Sequence, residues 1–302
     1  MSLKGKRVLV TGSNGFIGSH LINRLIKEKA DIYCVDKNKQ ENDSVKSYEL
    51  DIKNFLELKK IIEEVNPEII FHLAAMINNS REEGIIKEIF EVNTIGTLNL
   101  LIATININYD LLIYTNTFEL YGDENQAPFN EEMNPKGISP YSTSKICGEY
   151  YCKLFLEIYD KPIISFRLPI VYGPGQKGKM FIPDLMNSII KRKEFSMTKG
   201  KQTRDFIYVD DVIEAFIMAC NKKNMKGIFN LGYGKEISMK EVIETIKKNI
   251  DIDIKFDKPY KEKEIWHYYS DISKIKKELG WEPRTELKEG LRKTLEWWKN
   301  NG

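Results

Sequence analysis

One segment restricts the fold more than any other. The apolar run Arg7–Val10 leads through Thr11 into Gly12-Ser13-Asn14-Gly15-Phe16-Ile17-Gly18. From Phe16 to Lys27 the apolar residues Ile17, Leu21, Ile22, Leu25 and Ile26 fall at the spacing of one helix face. A strand, a glycine turn and a helix therefore follow one another without a linker. Gly12 permits the tight turn, Gly15 lets backbone approach an anion, and Gly18 allows close helix packing. The free N–H groups and partial positive charge at the start of the helix suit a pyrophosphate. Asp36 ends the next apolar run, 18 residues beyond Gly18. A carboxylate there accepts from ribose hydroxyls and repels a 2′-phosphate. The expected dinucleotide is NAD rather than NADP, with Lys37 and Lys39 beside Asp36 as the opposing influence.

The alternation continues through the first half. Asp31–Asp36 and Tyr48–Ile52 read as strands, Asn54–Val65 as a helix and Glu68–Ala75 as a buried strand. Ile85–Ile105 reads as one long helix, Leu111–Thr117 as a strand, Tyr141–Tyr159 as a helix and Ile163–Val171 as a strand. Strands separated by helices of this length give a parallel sheet covered on both faces, doubly wound by right-handed crossovers. After Val171 the order loosens. Gly173 to Lys179 is a polar turn cluster, followed by helical patterns at Phe181–Lys191, Tyr208–Cys220, Met239–Asn249 and Leu287–Trp298, with a short strand at Ile228–Leu231. The expected fold is α/β, a doubly wound parallel sheet of Rossmann type with a second, smaller C-terminal α/β lobe. Residues 1–166 would form the NAD-binding domain, with 205–231 returning to it, and 167–302 the substrate-binding lobe.

Composition excludes several function classes. Lys and Arg total 46 against 44 Asp and Glu, so neither sign dominates and nothing favours nucleic acid or an anionic membrane surface. The longest apolar runs are of strand length, too short to span a bilayer, and no signal peptide is recognisable at the N-terminus. Cys34, Cys147, Cys152 and Cys220 are too sparse for a disulfide framework and have no metal spacing with His20, His72 or His267. The expectation is a cytoplasmic enzyme with reduced thiols and no bound metal.

Tyr141-Ser142-Thr143-Ser144-Lys145 places Tyr and Lys on one face of a predicted helix. The spacing alone is common on solvated helices. Its weight comes from Thr117, which ends a buried strand 24 residues earlier, because strand carboxyl ends face the ligand crevice of a doubly wound sheet. Removing hydride from a secondary alcohol requires a base for the hydroxyl proton, and free tyrosine titrates near pH 10. Lowering it to about 7 takes roughly 4 kcal/mol, which one cation at about 4 Å can supply at an effective dielectric near 20. Lys145 is placed to be that cation.

Taken together, Thr11-Gly12-x-x-Gly15-Phe16-Ile17-Gly18, His72-Leu73-Ala74-Ala75, Arg204-Asp205-Phe206-Ile207-Tyr208-Val209-Asp210-Asp211, Leu279-Gly280-Trp281-x-Pro283 and Leu287-x-Glu289-Gly290-Leu291 resemble the extended short-chain dehydrogenases/reductases. That family includes nucleotide-sugar epimerases and dehydratases. The resemblance implies cofactor contacts at Gly12, Asn14, Gly15, Phe16, Ile17 and Asp36. It extends them to Asp51, Ile52, Leu73, Ala74, Ala75, Asn93 and Thr115, with Tyr141 and Lys145 closing the set and Lys145 on the nicotinamide ribose. It implies catalysis by Thr117, Tyr141 and Lys145, and substrate contacts at Met76, Thr117 and Arg204. A homodimer is also expected.

Thr117-Phe118-Glu119-Leu120-Tyr121-Gly122 resembles the segment that in sugar 4,6-dehydratases carries an acid and a base after the Thr. Glu119 is present as a candidate catalytic base, whereas Phe118 stands in place of the acid. Ile170, Met180 and Lys261 replace an Asn, an Asn and an Arg common among relatives, while Arg204 remains to pair with a diphosphate. A bland role for Arg204 is a structural ion pair with Asp205 or Asp210. The leading reading is an NAD-dependent nucleotide-sugar epimerase acting at C4 through a keto intermediate. The alternatives are a 4,6-dehydratase or decarboxylase using Glu119, a 4-keto-sugar reductase, and a non-catalytic NAD sensor.

Overall fold

The computed structural model describes residues 3–78, 82–248, 250–260 and 264–301. Arg7–Thr11 (β1) runs into Phe16–Lys27 (α1), followed by Asp31–Asp36 (β2), Lys46–Glu49 (β3), Phe55–Val65 (α2) and Ile69–His72 (β4). Next come the helices Glu83–Phe90 (α3) and Gly96–Ala103 (α4), then Leu111–Thr117 (β5), Pro140–Ile158 (α5) and Ile163–Leu168 (β6). Ile170–Tyr172 (β7), Phe181–Ile190 (α6), Phe195–Ser196 (β8), Thr203–Arg204 (β9) and Phe206–Tyr208 (β10) begin the second half. It ends with Val209–Cys220 (α7), Gly227–Asn230 (β11), Ile237–Ser238 (β12), Met239–Lys247 (α8), Ile254–Lys255 (β13), Ser273–Leu279 (α9) and Leu287–Asn301 (α10).

Seven strands form one parallel sheet in the order β11-β6-β5-β4-β1-β2-β3. The strand order reverses between β1 and β4, where Thr11 lies opposite His72, and that switch point opens a crevice beyond the strand ends. Alternate residues of the strands feed two cores. Val8, Val10 and Phe71 pack with α1 and α7 on one face, and Leu9, Ile70 and Leu112 pack with α2, α4 and α5 on the other. A third core unites α6, α8 and α10 with the short strands of the second half. Among the described residues no helix is long and apolar enough to cross a membrane.

Several elements differ from the periodicity. The long helix expected over 85–105 contains a π turn at Glu91–Ile95 between α3 and α4, a wider turn that often marks a functional position. The strand expected over 163–171 divides at Pro169, which has no N–H for the ladder; β6 stays in the main sheet and β7 pairs with β10. The expected strand ends beyond Glu49 and His72 are extended loop rather than sheet. The helix expected over 239–249 ends at Lys247, and its last expected position, Asn249, lies outside the described residues, as does Lys261.

Helix α5 is fastened to the sheet by a buried ion pair. Glu149 accepts from Arg167 Nη2 at 2.6 Å and Nε at 3.2 Å, from Asn116 Nδ2 at 2.8 Å and from Ser165 Oγ at 2.7 Å. Removing one partner of such a pair strands a buried charge, which costs about 3–5 kcal/mol. Glu149→Leu is therefore expected to lower the denaturant midpoint sharply. Glu149→Leu/Arg167→Met, which removes both charges, should recover most of the loss in the same unfolding measurement.

Candidate active site

The crevice at the switch point is built from backbone first. Gly12 has φ +71°, and a Cβ there would lie 2.6 Å from the Ala74 nitrogen, so only glycine lets Leu73 and Ala74 pass. A Cβ on Gly18 would stand 2.3 Å from the Gly12 carbonyl oxygen. Gly15 caps α1 without a side-chain bond, and the first turn carries no acidic residue. Its N–H groups are thus open to an anion. Asp36 accepts from the backbone N–H of Asn14 at 3.0 Å and of Asn38 at 3.2 Å, joining the turn to the end of β2. Asp51 pairs with Lys37 and Lys53, and Ile52 packs beneath Gly96 while its carbonyl accepts from Asn99. A glycine cradle, an uncapped helix start and a carboxylate at the β2 end fit a dinucleotide.

The end of β4 is held by a fully determined hydrogen-bond chain. Thr97 Oγ donates to the Asn93 carbonyl at 2.6 Å, so it accepts from His72 Nε2 at 2.9 Å. His72 Nδ1 then accepts from Thr11 Oγ at 2.7 Å, and Thr11 Oγ accepts from the Ala74 N–H at 3.3 Å. Burial, aided by Lys145, pulls the His72 pKa down to about 3, so the ring is neutral and fixed in one tautomer. Thr115 Oγ donates to the His72 carbonyl at 3.2 Å. Asn93, in the π turn, accepts from the Met76 N–H at 2.7 Å. Its amide donates to the Met76 carbonyl at 3.0 Å and to Ser144 Oγ at 2.9 Å. The wide turn aims this side chain at the loop after β4 and at α5 together.

Thr117 ends β5, and Tyr141 and Lys145 occupy successive turns at the start of α5. Ser139 caps the helix in a reciprocal box with Ser142, and Pro140 fills the first position. Glu119 accepts from Ser139 Oγ, so the β5 end and the α5 start are tied directly across the crevice. Burial pushes the Tyr141 hydroxyl well up, Glu119 adds to this, and the Thr117 hydroxyl opposes it. Burial pulls the Lys145 amine down to about 7, against the opposing influence of the nearby Cys152 thiol and Glu149 carboxyl. Lys145 Nζ lies 4.1 Å from the centre of the Tyr114 ring. The structure thus brings Thr117, Glu119 and Tyr141 together, with Lys145 one turn further along α5.

The ion-pair reading of Arg204 changes. Arg204 pairs with neither Asp205 nor Asp210. Its Nη2 donates to Glu264 at 2.6 Å and its Nη1 to the carbonyls of Thr203 and Ile265. Phe118 is fully buried among Tyr121, Phe129 and Tyr268. Sequence reasoning did not single out Ser139, Asn116, Glu149 or Tyr268. The Ser139-Pro140-x-Ser142 spacing is a legible cap, but Tyr268 reaches the neighbourhood of Glu119, Tyr141 and Arg204 only through the fold.

Comparison with known proteins follows this geometry. Residues 8–232 match the family described as NAD dependent epimerase/dehydratase. A protein of Methanocaldococcus jannaschii, provisionally named a UDP-glucose 4-epimerase, is 35% identical over 97% of this chain and 99% of its own. Human dTDP-D-glucose 4,6-dehydratase is 31% identical over 98% of this chain and 91% of its own. The crystal structure of UDP-glucose 4-epimerase from Thermotoga maritima with UDP-glucose superimposes with a TM-score of 0.88 at 30% identity, covering 97% of this chain and 98% of that one.

Tyr141→Phe retains the ring and removes only the hydroxyl. Turnover is expected to fall by at least about 10²–10⁴, while NAD affinity by calorimetry stays within a few fold. Turnover equal to that of the unmodified protein would exclude Tyr141 as the base.

Proposed function

Because the chain belongs to the NAD dependent epimerase/dehydratase family, and is an enzyme with NAD as its cofactor, we propose that it inverts C4 of a nucleotide-linked sugar. Residues 1–166 serve in this reading as the NAD-binding unit, rejoined by 205–231, and 167–302 as the sugar-nucleotide lobe. The observation that carries it is the placement of Tyr141 beside Thr117, with Lys145 one turn along α5 and a fully buried Phe118 in place of an acid. Tyr141 takes the proton of the C4 hydroxyl, Thr117 donates to that oxygen as charge develops, and Lys145 steadies the tyrosinate. Bound NAD would supply the hydride acceptor at C4 and the hydride donor for return to the other face. Tyr141 then gives its proton back, so no atom is lost. The residues that would hold NAD are those of the α1 start for the pyrophosphate, Asp36 for the adenosine ribose, Asp51 and Ile52 for the adenine, with Leu73, Ala74, Ala75, Asn93 and Thr115 completing the cofactor set.

The substrate class is supported by the relatives, whose names specify UDP- and dTDP-linked sugars. Met76 borders the sugar in this reading, and Arg204 faces the diphosphate after exchanging part of its bond to Glu264. A hollow of about 220 Å³ lined by Phe181, Phe195, Met197, Thr198, Gln202 and Met239 offers apolar walls and an amide, which suit a nucleobase. Elimination of water, the second reading, is supported by the 31% identical 4,6-dehydratase and by Glu119, which lies close enough to raise Tyr141.

A cytoplasmic homodimer completes the proposal. The four cysteines are unpaired, as in a reducing compartment. Ile86, Phe90, Ile95 and Ile102 on the α3–α4 run and Tyr150, Leu154 and Ile158 on α5 are all exposed, and α5 packs beside both helices. The α5 trio recurs every four residues and forms one apolar stripe, the kind of self-complementary patch a twofold dimer buries. Light scattering should give twice the chain mass, and Leu154→Glu should give a folded monomer; a monomeric unmodified protein would refute the assembly.

The reaction itself is decided by Glu119→Gln. Epimerisation uses no carboxylate, so the variant should lose at most about fivefold to tenfold, the value of one hydrogen bond near 1 kcal/mol. Dehydration needs a base for the proton alpha to the ketone, worth about 10²–10⁴. A loss of that size, with reduced-nicotinamide absorbance accumulating and a product 18 mass units lighter in the unmodified enzyme (one water, by general chemistry), would replace the epimerase reading.

A further inference from the structure

Outside the candidate catalytic groups, one charged junction ties the cofactor side of the crevice to the second half of the chain. His20 lies one turn into α1. Its Nε2 is 2.8 Å from the Pro174 carbonyl oxygen and its Nδ1 is 3.2 Å from Asp210 Oδ1. Both partners are acceptors. The carbonyl has no proton to give, and the bond to His20 holds the Asp210 carboxyl below its ordinary range. A neutral imidazole carries one N–H and one lone pair, so it would satisfy one partner and present a lone pair to the other. Only the imidazolium donates to both.

The three elements so joined are α1, the loop that follows β7, and the first turn of α7. Apolar contacts close the same junction. Phe16 packs edge-on against the His20 ring at 5.5 Å. A Cβ on Gly173 would stand 2.5 Å from Val209 and 3.5 Å from Phe16, so the loop backbone lies directly on both. Arg24 and Glu214, paired at 2.7 Å, give α1 and α7 a second link deeper along the helices.

We propose that His20, as the imidazolium, is a positioning residue that clamps the Gly173–Lys179 loop onto the nucleotide-binding helix α1. One proton thereby sets how firmly the loop is held at the crevice rim. The use of this clamp in turnover rests on the proposed NAD and sugar-nucleotide site, whereas the clamp itself does not.

The direction with pH follows from the groups around the ring. Asp210 faces it from α7 and the Pro174 carbonyl from the loop, while Lys27 of α1 and Lys293 of α10 act on Asp210. Burial of the ring works against its charge and is outweighed by the bond to Asp210, the bond to Pro174 and the Asp210 charge, so the pKa lies above 6.5. The folded state holds this proton more tightly than the unfolded chain does. The clamp is therefore complete below the ordinary histidine pKa and is lost as pH rises through the folded value.

The chain has only three histidines, which makes the test direct. His72 is neutral with its pKa near 3, and His267 is exposed beside Glu236. In ¹⁵N imidazole NMR of the full-length protein, the signals lost in His20→Asn should show both nitrogens protonated at pH 6. They should titrate above 6.5, and lower in Asp210→Asn. Trypsin cleavage after the exposed Lys177 and Lys179 supplies a readout independent of activity. The ratio of cleavage rates, His20→Asn over unmodified protein, should be several-fold at pH 6 and approach one at pH 8.5. A single neutral tautomer at pH 6, or a cleavage ratio that does not change with pH, would overturn the clamp. Both measurements stand even if no nucleotide sugar is turned over.

Discussion

The geometry of the candidate site hangs on one buried carboxylate. Glu149 lies one helical turn beyond Lys145 and accepts from Arg167, Asn116 and Ser165 at once. Asn116 turns its other side-chain atom to the neighbouring backbone, its Oδ1 accepting from the Thr117 N–H at 2.8 Å. Thr117 at the end of β5 and the helix bearing Tyr141 and Lys145 are therefore registered against a common anion. Arg167 extends the network to Tyr121 Oη at 2.9 Å, and Tyr121 donates to Asn230 in β11. Burying such a pair repays little net stability, because desolvation cancels most of the attraction. What it supplies is a single allowed register, since any slip leaves a charge without its donors.

The same dry surroundings set the resting state of Tyr141 and Lys145. Burial raises Tyr141 and lowers Lys145 to about 7, so each group is pushed toward its neutral form. In a site of low effective dielectric an added positive charge acts strongly on both. In the proposed reaction, a tyrosine held this way would become a competent base only as its ligands assemble. The neutral, single-tautomer His72 behind it contributes fixed dipoles without competing for protons. Such preorganised polar groups stabilise developing charge at no cost of reorientation.

How much of this was legible in the sequence depended on whether the signal was local. The glycine turn, Asp36, the strand alternation and the Tyr141–Lys145 spacing are short-range patterns, each carried by one element or the turn beside it. The π turn was not legible, because Glu91–Ile95 keeps a helical hydrophobic pattern; it is Asn93 bonding across to Met76 and Ser144 that accompanies the wider turn. The break at Pro169 was available in the sequence but was overridden by the apolar run around it. The partner of Arg204 was unreadable for a different reason. Glu264 is 60 residues away, and only the antiparallel pairing of β9 with β12 and the return of the chain past Trp266 bring it near.

Glu119 shows how a motif can persist while its context changes. Elimination needs a proton donor for the leaving hydroxyl as well as a base. Here the neighbouring position is Phe118, locked edge-on against Tyr121 and fully buried. Glu119 itself accepts from Ser139, the residue that caps α5. Its charge is thus engaged in fixing the helix start that presents Tyr141, a structural duty that needs an acceptor but no proton transfer. A carboxylate that fixes the helix start in this way, beside a phenylalanine in place of an acid, is the ground on which the proposed reading favours oxidation and re-reduction at one carbon over elimination.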